Sequence, residues 1–168
     1  METDRLLLRP WQESDLEALY ELAKDPRVGP DCGWNPHKDL SESEFVLQNI
    51  LMKDETYAIV LKESKKVIGN ISLFTGENNE LEIGFWLGYP YWGNGYMPEA
   101  CKALIHYCFT ILKLERIWCS HNESNKKSAS VQKKCGFKYH HTNPNHYLEQ
   151  LDQTVVGIVN CLTKEEWA

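Results

Sequence analysis

An α/β (α+β) fold with at least one parallel strand pair is the class this sequence predicts, and three observations predict it. Segments with a two-residue apolar period and segments with a helical period are interleaved along the 168 residues. Between Glu80 and His121 a strand, a glycine-bearing loop, the most regular helix of the chain and another strand follow in order, and such a unit brings its two strands together in parallel. The last two strand-like segments are separated only by Glu149 to Gln153, so they pair antiparallel. Neither repeats nor a linker interrupt this order, and folding at this length withdraws roughly 70% of the unfolded surface from water. Residues 1–168 are therefore read as a single domain.

Thr3 to Pro10 reads as the first strand. Ser14-Asp15 can cap a helix whose inner face holds Leu16, Leu19, Tyr20 and Ala23, with Asp25-Pro26 ending it. After a turn-rich loop from Gly29 to Lys38, Ser41-Glu42-Ser43-Glu44 reads as a capping box for a second helix, with Phe45, Ile50 and Leu51 inward. Three strands follow: Thr56 to Lys62, Val67 to Phe74 and Glu80 to Leu87, with turns at Ser64-Lys65 and from Gly76 to Asn79. Met97, Ala100, Cys101, Leu104, Ile105, Cys108 and Leu112 then form one face of a helix of about four turns. A strand from Glu115 to His121 precedes a helix from Asn125 to Lys134, which Gly136 closes at its C′ position. Phe137 to Leu148 and Thr154 to Leu162 complete the seven strands.

Eighteen Lys and Arg stand against 24 Asp and Glu, a formal charge of −6 with both signs scattered, which disfavours nucleic acid as a partner. Apolar runs fall short of the roughly 18 residues of a membrane helix, and Met1-Glu2-Thr3-Asp4-Arg5 lacks the pattern of a signal peptide. A soluble, cytoplasmic protein with no membrane partner is the expectation. The six cysteines form no Cys-x-x-Cys pair and sit mostly among apolar neighbours, so buried thiols are expected and no metal.

The loop Gly88 to Gly95, continuing to Pro98, joins a strand to a helix, where free N–H groups and the helix dipole attract anions. Gly93 and Gly95 allow a close approach of the backbone to a phosphate, and Pro98 gives up an N–H that the first helical turn leaves unpaired. A dinucleotide fingerprint would need glycine where Pro98 stands, and a P-loop would need Gly-Lys-Ser/Thr, which is absent.

Four blocks, and the chain's ending, resemble the GNAT superfamily, in particular its branch of ribosomal-protein alanine and serine N-acetyltransferases. They are Thr3 to Pro10, Glu82-Ile83-Gly84-Phe85-Trp86-Leu87, Tyr91 to Ala100, and Asn125-x-x-Ser128 continued by Lys134-Cys135-Gly136-Phe137; Leu162 to Trp167 is similar to the branch's ending. The resemblance implies a mixed, mainly antiparallel seven-stranded sheet flanked by about four helices, splayed between strands four and five, with acetyl-coenzyme A in the opening. It departs from the usual loop pattern at Trp92 and Met97, and Asn94 replaces a common basic residue.

What the resemblance implies can be carried to single residues. Backbone groups of Phe85, Trp86 and Leu87 would hold the thioester. Trp92, Gly93, Asn94, Gly95, Tyr96 and Met97 would form the phosphate loop, with Asn125, Ser128 and Lys134 as further coenzyme contacts. Glu82 and His146 are the candidate proton acceptors: His146 aligns with an acidic position of the branch, and an imidazole titrates near neutrality. Gln132 stands where many relatives carry an acidic tyrosine, which leaves Ser128 as a candidate donor to the thiolate. Trp34 and His37 are expected to wall the acceptor site. Each position has a structural alternative: helix capping for Asn125 and Ser128, packing for Trp34, solvent exposure for Glu82, His37, Lys134 and His146.

The function expected is acetyl transfer from acetyl-coenzyme A to a primary amine, a protein N-terminal α-amine or a small amine, through a ternary complex of a monomer or homodimer. A coenzyme-binding sensor with weakened catalysis is the alternative that Gln132 motivates. A methyltransferase is disfavoured because the glycine pattern is not in the first strand's turn.

Overall fold

The computed structural model describes every residue except Glu77, so the turn expected from Gly76 to Asn79 lies partly outside the described residues. One seven-stranded sheet has the order β1-β2-β3-β4-β5-β7-β6. The strands are β1 Leu6–Pro10, β2 Thr56–Leu61, β3 Val67–Thr75, β4 Leu81–Leu87, β5 Arg116–Asn122, β6 Lys138–Leu148 and β7 Gln153–Thr163. Neighbours are antiparallel except β4 and β5, the parallel pair expected from the Glu80 to His121 unit.

Successive strand residues point to opposite faces, and the two faces carry separate cores. On one face Leu6, Leu8, Ile59, Ile83, Ile117 and Cys119 pack against α3 (Tyr96–Thr110). The apolar stripe of α3 explains its position: Met97, Ala100, Cys101, Leu104, Ile105 and Cys108 are all buried, and Phe109 joins them. α4 (Lys126–Lys134) sits beside α3 on this face. On the opposite face Trp11, Ala58, Val60 and Val67 pack against Leu19 and Leu22 of α1 (Leu16–Ala23) and against Leu47 and Leu51.

Three local expectations are corrected. Residues Thr3 to Arg5 do not extend β1; Thr3 Oγ1 donates to Glu99 Oε1 at 2.6 Å, and Arg5 N and Nε donate to the same carboxylate at 2.9 and 2.7 Å. The Asp15 carboxylate does not cap α1, because Arg9 and the Gln12 N–H occupy it. The second helix, α2 (Leu40–Val46), begins before Ser41: Asp39 is its cap, accepting from Glu42 N at 2.8 Å. A π-helical turn follows at Leu47–Leu51.

The earlier start and the wide turn set the helix so that Leu47 and Leu51 pack against the sheet and Ser43, one turn before, is buried beside His37, while Phe45 is 63% and Ile50 49% exposed. Leu47→Ala is therefore expected to cost about 2–5 kcal/mol in urea denaturation, whereas Phe45→Ala changes stability by about 0.5 kcal/mol or less. Equal losses at both positions would contradict this orientation.

Candidate active site

The β4–β5 ladder consists of one pair, Glu82 with Trp118, after which the two strands part. The pairing of β4 with β3 decides what the gap receives. Gly88 N donates to Ile68 O and Gly76 N to Glu80 O, so even-numbered residues of this segment exchange hydrogen bonds with β3. Ile83, Phe85 and Leu87 consequently turn their amide groups toward β5.

Their carbonyls are covered. Cys119 Sγ donates to Ile83 O at 3.2 Å, Cys32 Sγ stands 4.0 Å from Phe85 O, and Trp92 Nε1 donates to Leu87 O at 2.7 Å. Burial pushes the Cys119 thiol well above its ordinary pKa, which keeps it a donor. The N–H groups of Phe85 and Leu87 face the opening.

That opening is a cavity of about 860 Å³, in the range of small-molecule sites. At one end Gly93 and Gly95 both have φ +78°, the left-handed conformation that glycine adopts without strain, and the chain enters α3 with the N–H groups of Tyr96 and Met97 unused by the helix. Lys126, Lys127 and Lys134 of α4 line the cavity, and Lys127 Nζ lies 4.3 Å over the Trp92 ring. An anion is the natural occupant.

Arg5 holds this end from outside: its guanidinium donates to Asn94 O at 3.0 Å and pairs with Glu99 at 2.7 Å. The Asn94 side chain folds back to donate to Tyr91 O and Trp92 O. Asn94 therefore shapes the loop but does not line the cavity, contrary to expectation.

Strand parity separates the other candidates by face. Glu82 shares its face with Trp86, which packs on Trp11 and Trp34 on the α1 side. His146 reaches the cavity through a break in the β6–β7 register between Asn143 and His146, and it lies over Gly157, where a Cβ would stand 3.3 Å from its own. Ser128 and Asn125 line the opposite, α4 side. Asn125 Oδ1 accepts from Ser128 N at 3.0 Å, and Asn125 Nδ2 donates to Asp31 O at 3.2 Å. Asn35 Nδ2 donates to Gln150 O at 2.7 Å, so the 29–35 loop is strapped across the cavity at both ends.

Trp34 and His37 do not line the cavity. Trp34 is held edge-on against Trp86, and His37 is buried between the first two helices, its Nδ1 2.7 Å from Ser43 Oγ and its backbone N–H donating to Ala23 O. Asp31 and Cys32, a few residues earlier, take the lining position instead. His121 of β5 also lines the cavity and was missed; its two-residue spacing from Ile117 and Cys119 was the available signal.

Burial lowers the pKa of His37 and of His121. An imidazole that binds its proton less tightly when folded leaves the unfolded chain holding more protons at mildly acid pH, so stability is present above the unfolded value near 6.5 and falls as pH drops through it. The urea midpoint is expected to fall between pH 7.5 and 5.5, and to fall less in His37→Asn; an unchanged pH dependence in that variant would refute the assignment to His37.

The description "Acetyltransferase (GNAT) domain" matches residues 5–138 of this chain. The uncharacterized N-acetyltransferase p20 of Bacillus licheniformis is 31% identical over 143 residues, covering 81% of this chain and 80% of that protein. The ribosomal-protein-serine acetyltransferase of Escherichia coli is 28% identical over 144 residues, 80% of each chain. A GNAT-family acetyltransferase crystal structure from Bacillus anthracis superposes with a TM-score of 0.88 over 98% of both chains at 20% identity. The split sheet, the glycine loop at the start of α3 and these matches together show that the chain belongs to the GNAT acetyltransferase family.

Proposed function

We propose that this protein moves the acetyl group of acetyl-coenzyme A directly to a primary amine in a ternary complex, with a protein or peptide α-amine as the acceptor class. The observation that carries the reading is that one cavity holds both an anion-binding helix start and a pair of inward strand N–H groups. The first suits a pyrophosphate; the second suits a carbonyl oxygen on which negative charge develops. The lysines of α4 suit the coenzyme phosphates.

Division of the cavity by the sheet supports the assignment of roles. Glu82 and His146, on the α1 side, are suited to take the proton of an ammonium, directly or through water. Ser128 lies on the α4 side, and its Oγ accepts from Gln132 Nε2 at 3.2 Å, which leaves the hydroxyl hydrogen to donate to a departing thiolate. Gln132 itself is fully buried and hydrogen-bonded, so it does not act as the missing acid. For the acceptor, the net charge of −6, with Asp31 and Glu82 at the cavity, favours a cationic amine, and the name of the Escherichia coli relative points to a protein as acceptor.

The test is a thiol-release assay with acetyl-coenzyme A against peptide N-termini, polyamines, amino acids and aminoglycosides. Amine-dependent release, strongest with a peptide and abolished in Gly95→Pro, is expected. Coenzyme binding without release toward any amine would instead mark a sensor, and no binding at all would overturn the reading.

A further inference from the structure

The hydrogen bonds of Gln132 reveal what stands beside it. The Gln132 side chain is wholly buried between α4, β5 and β7. Its Nε2 lies 3.1 Å from Ser120 O, an atom that only accepts, so the amide orientation is determined: Nε2 donates there and to Ser128 Oγ, and Oε1 is turned the other way. Oε1 receives Asn160 Nδ2 at 2.6 Å and stands 3.3 Å from His121 Nδ1.

A carboxamide oxygen cannot donate, so His121 must carry its hydrogen on Nδ1. The other ring nitrogen, Nε2, then holds a lone pair on a side chain that lines the cavity. Parity along β5 places His121 on the same face as Ile117 and Cys119, the face of α4 and Ser128, opposite Glu82.

We infer that His121 is a catalytic residue that carries a proton, through Nε2, from the attacking amine to the departing thiolate. The inference rests on the transferase reading above. After the amine nitrogen bonds to the acetyl carbon, Nε2 takes one N–H proton from the resulting ammonium. Gln132 Oε1, accepting from Nδ1–H, steadies the imidazolium. As the carbon–sulfur bond breaks, its electron pair goes to sulfur and the Nε2 proton follows it, leaving an amide, a thiol and the neutral imidazole. The cycle is balanced, and Ser128 adds only a hydrogen bond to the thiolate without giving up its proton.

The ring's surroundings suit a carrier that starts neutral. Burial, the largest influence, lowers its proton affinity; the Gln132 bond opposes this and the charge of Lys126 on α4 adds to the lowering, while Asn160 from β7 is neutral.

The experiment pairs His121→Gln kinetics with nitrogen-15 NMR of the wild-type ring at neutral pH. Expected are a kcat lower by about 100-fold in the variant with coenzyme binding kept within about twofold, partial recovery of His121→Ala by added imidazole, and a neutral wild-type ring protonated on Nδ1. Variant activity within about threefold of wild type, or a ring protonated on Nε2, would overturn the role of His121 while leaving the transferase reading intact. Wild-type protein inactive toward every amine would overturn both. If His121→Gln loses coenzyme binding, the wild-type tautomer and the imidazole recovery decide.

Discussion

Everything at this site follows from the early end of one ladder. A parallel strand pair that stops after a single bridge leaves the carbonyl of Ile83 and the amide groups of Phe85 and Leu87 without strand partners inside the protein, where an unpaired polar group costs about 1–3 kcal/mol. The carbonyls are met by side chains from β5, from the strap loop and from the glycine loop. The N–H groups are turned into the opening. A defect in a sheet thus becomes a preformed set of donors, rigid because β3 pairs with the other edge of β4 along its whole length.

The same gap lets a ligand be approached from both faces. The α1 face brings Glu82 and His146, and the α4 face brings Ser128 and the His121–Gln132 pair. Alternation along the strands alone distributes these groups between the two faces. The network around Gln132 links α4, β5 and β7 through an amide whose two ends are not interchangeable, so it sets the hydrogen positions on Ser128 and His121 together.

Side-chain hydrogen bonds hold the two ends of the cavity. Glu99, accepting from Thr3 and Arg5, ties the chain's first residues to the start of α3, and Arg5 also supports the loop carbonyl at Asn94. Arg5 bears on the anion end without lining it. At the other end, Asn125 and Asn35 strap the 29–35 loop to α4 and to the β6–β7 hairpin.

The sequence by itself determined the order of elements, the parallel pair and the glycine loop, because two-residue and helical periods and a Gly-x-Gly turn are local properties of the chain. Gly93 and Gly95 were legible as cavity residues from the glycine turn itself, whereas Glu82, Asn125, Ser128 and His146 were reached through the family resemblance, and all six line the cavity. Phe45 and Ile50 were misplaced because a cap two residues earlier and a π-helical turn reset a helix with no strong sequence signal. Trp34 and His37 were misplaced because an aromatic loop residue can serve a wall or a core equally well, and only the position of Trp86 and Ser43 decides between them. The tertiary structure alone decided where β4 and β5 part, which face each candidate takes, and that His121 meets Gln132, since these depend on register and on contacts between residues distant in the chain.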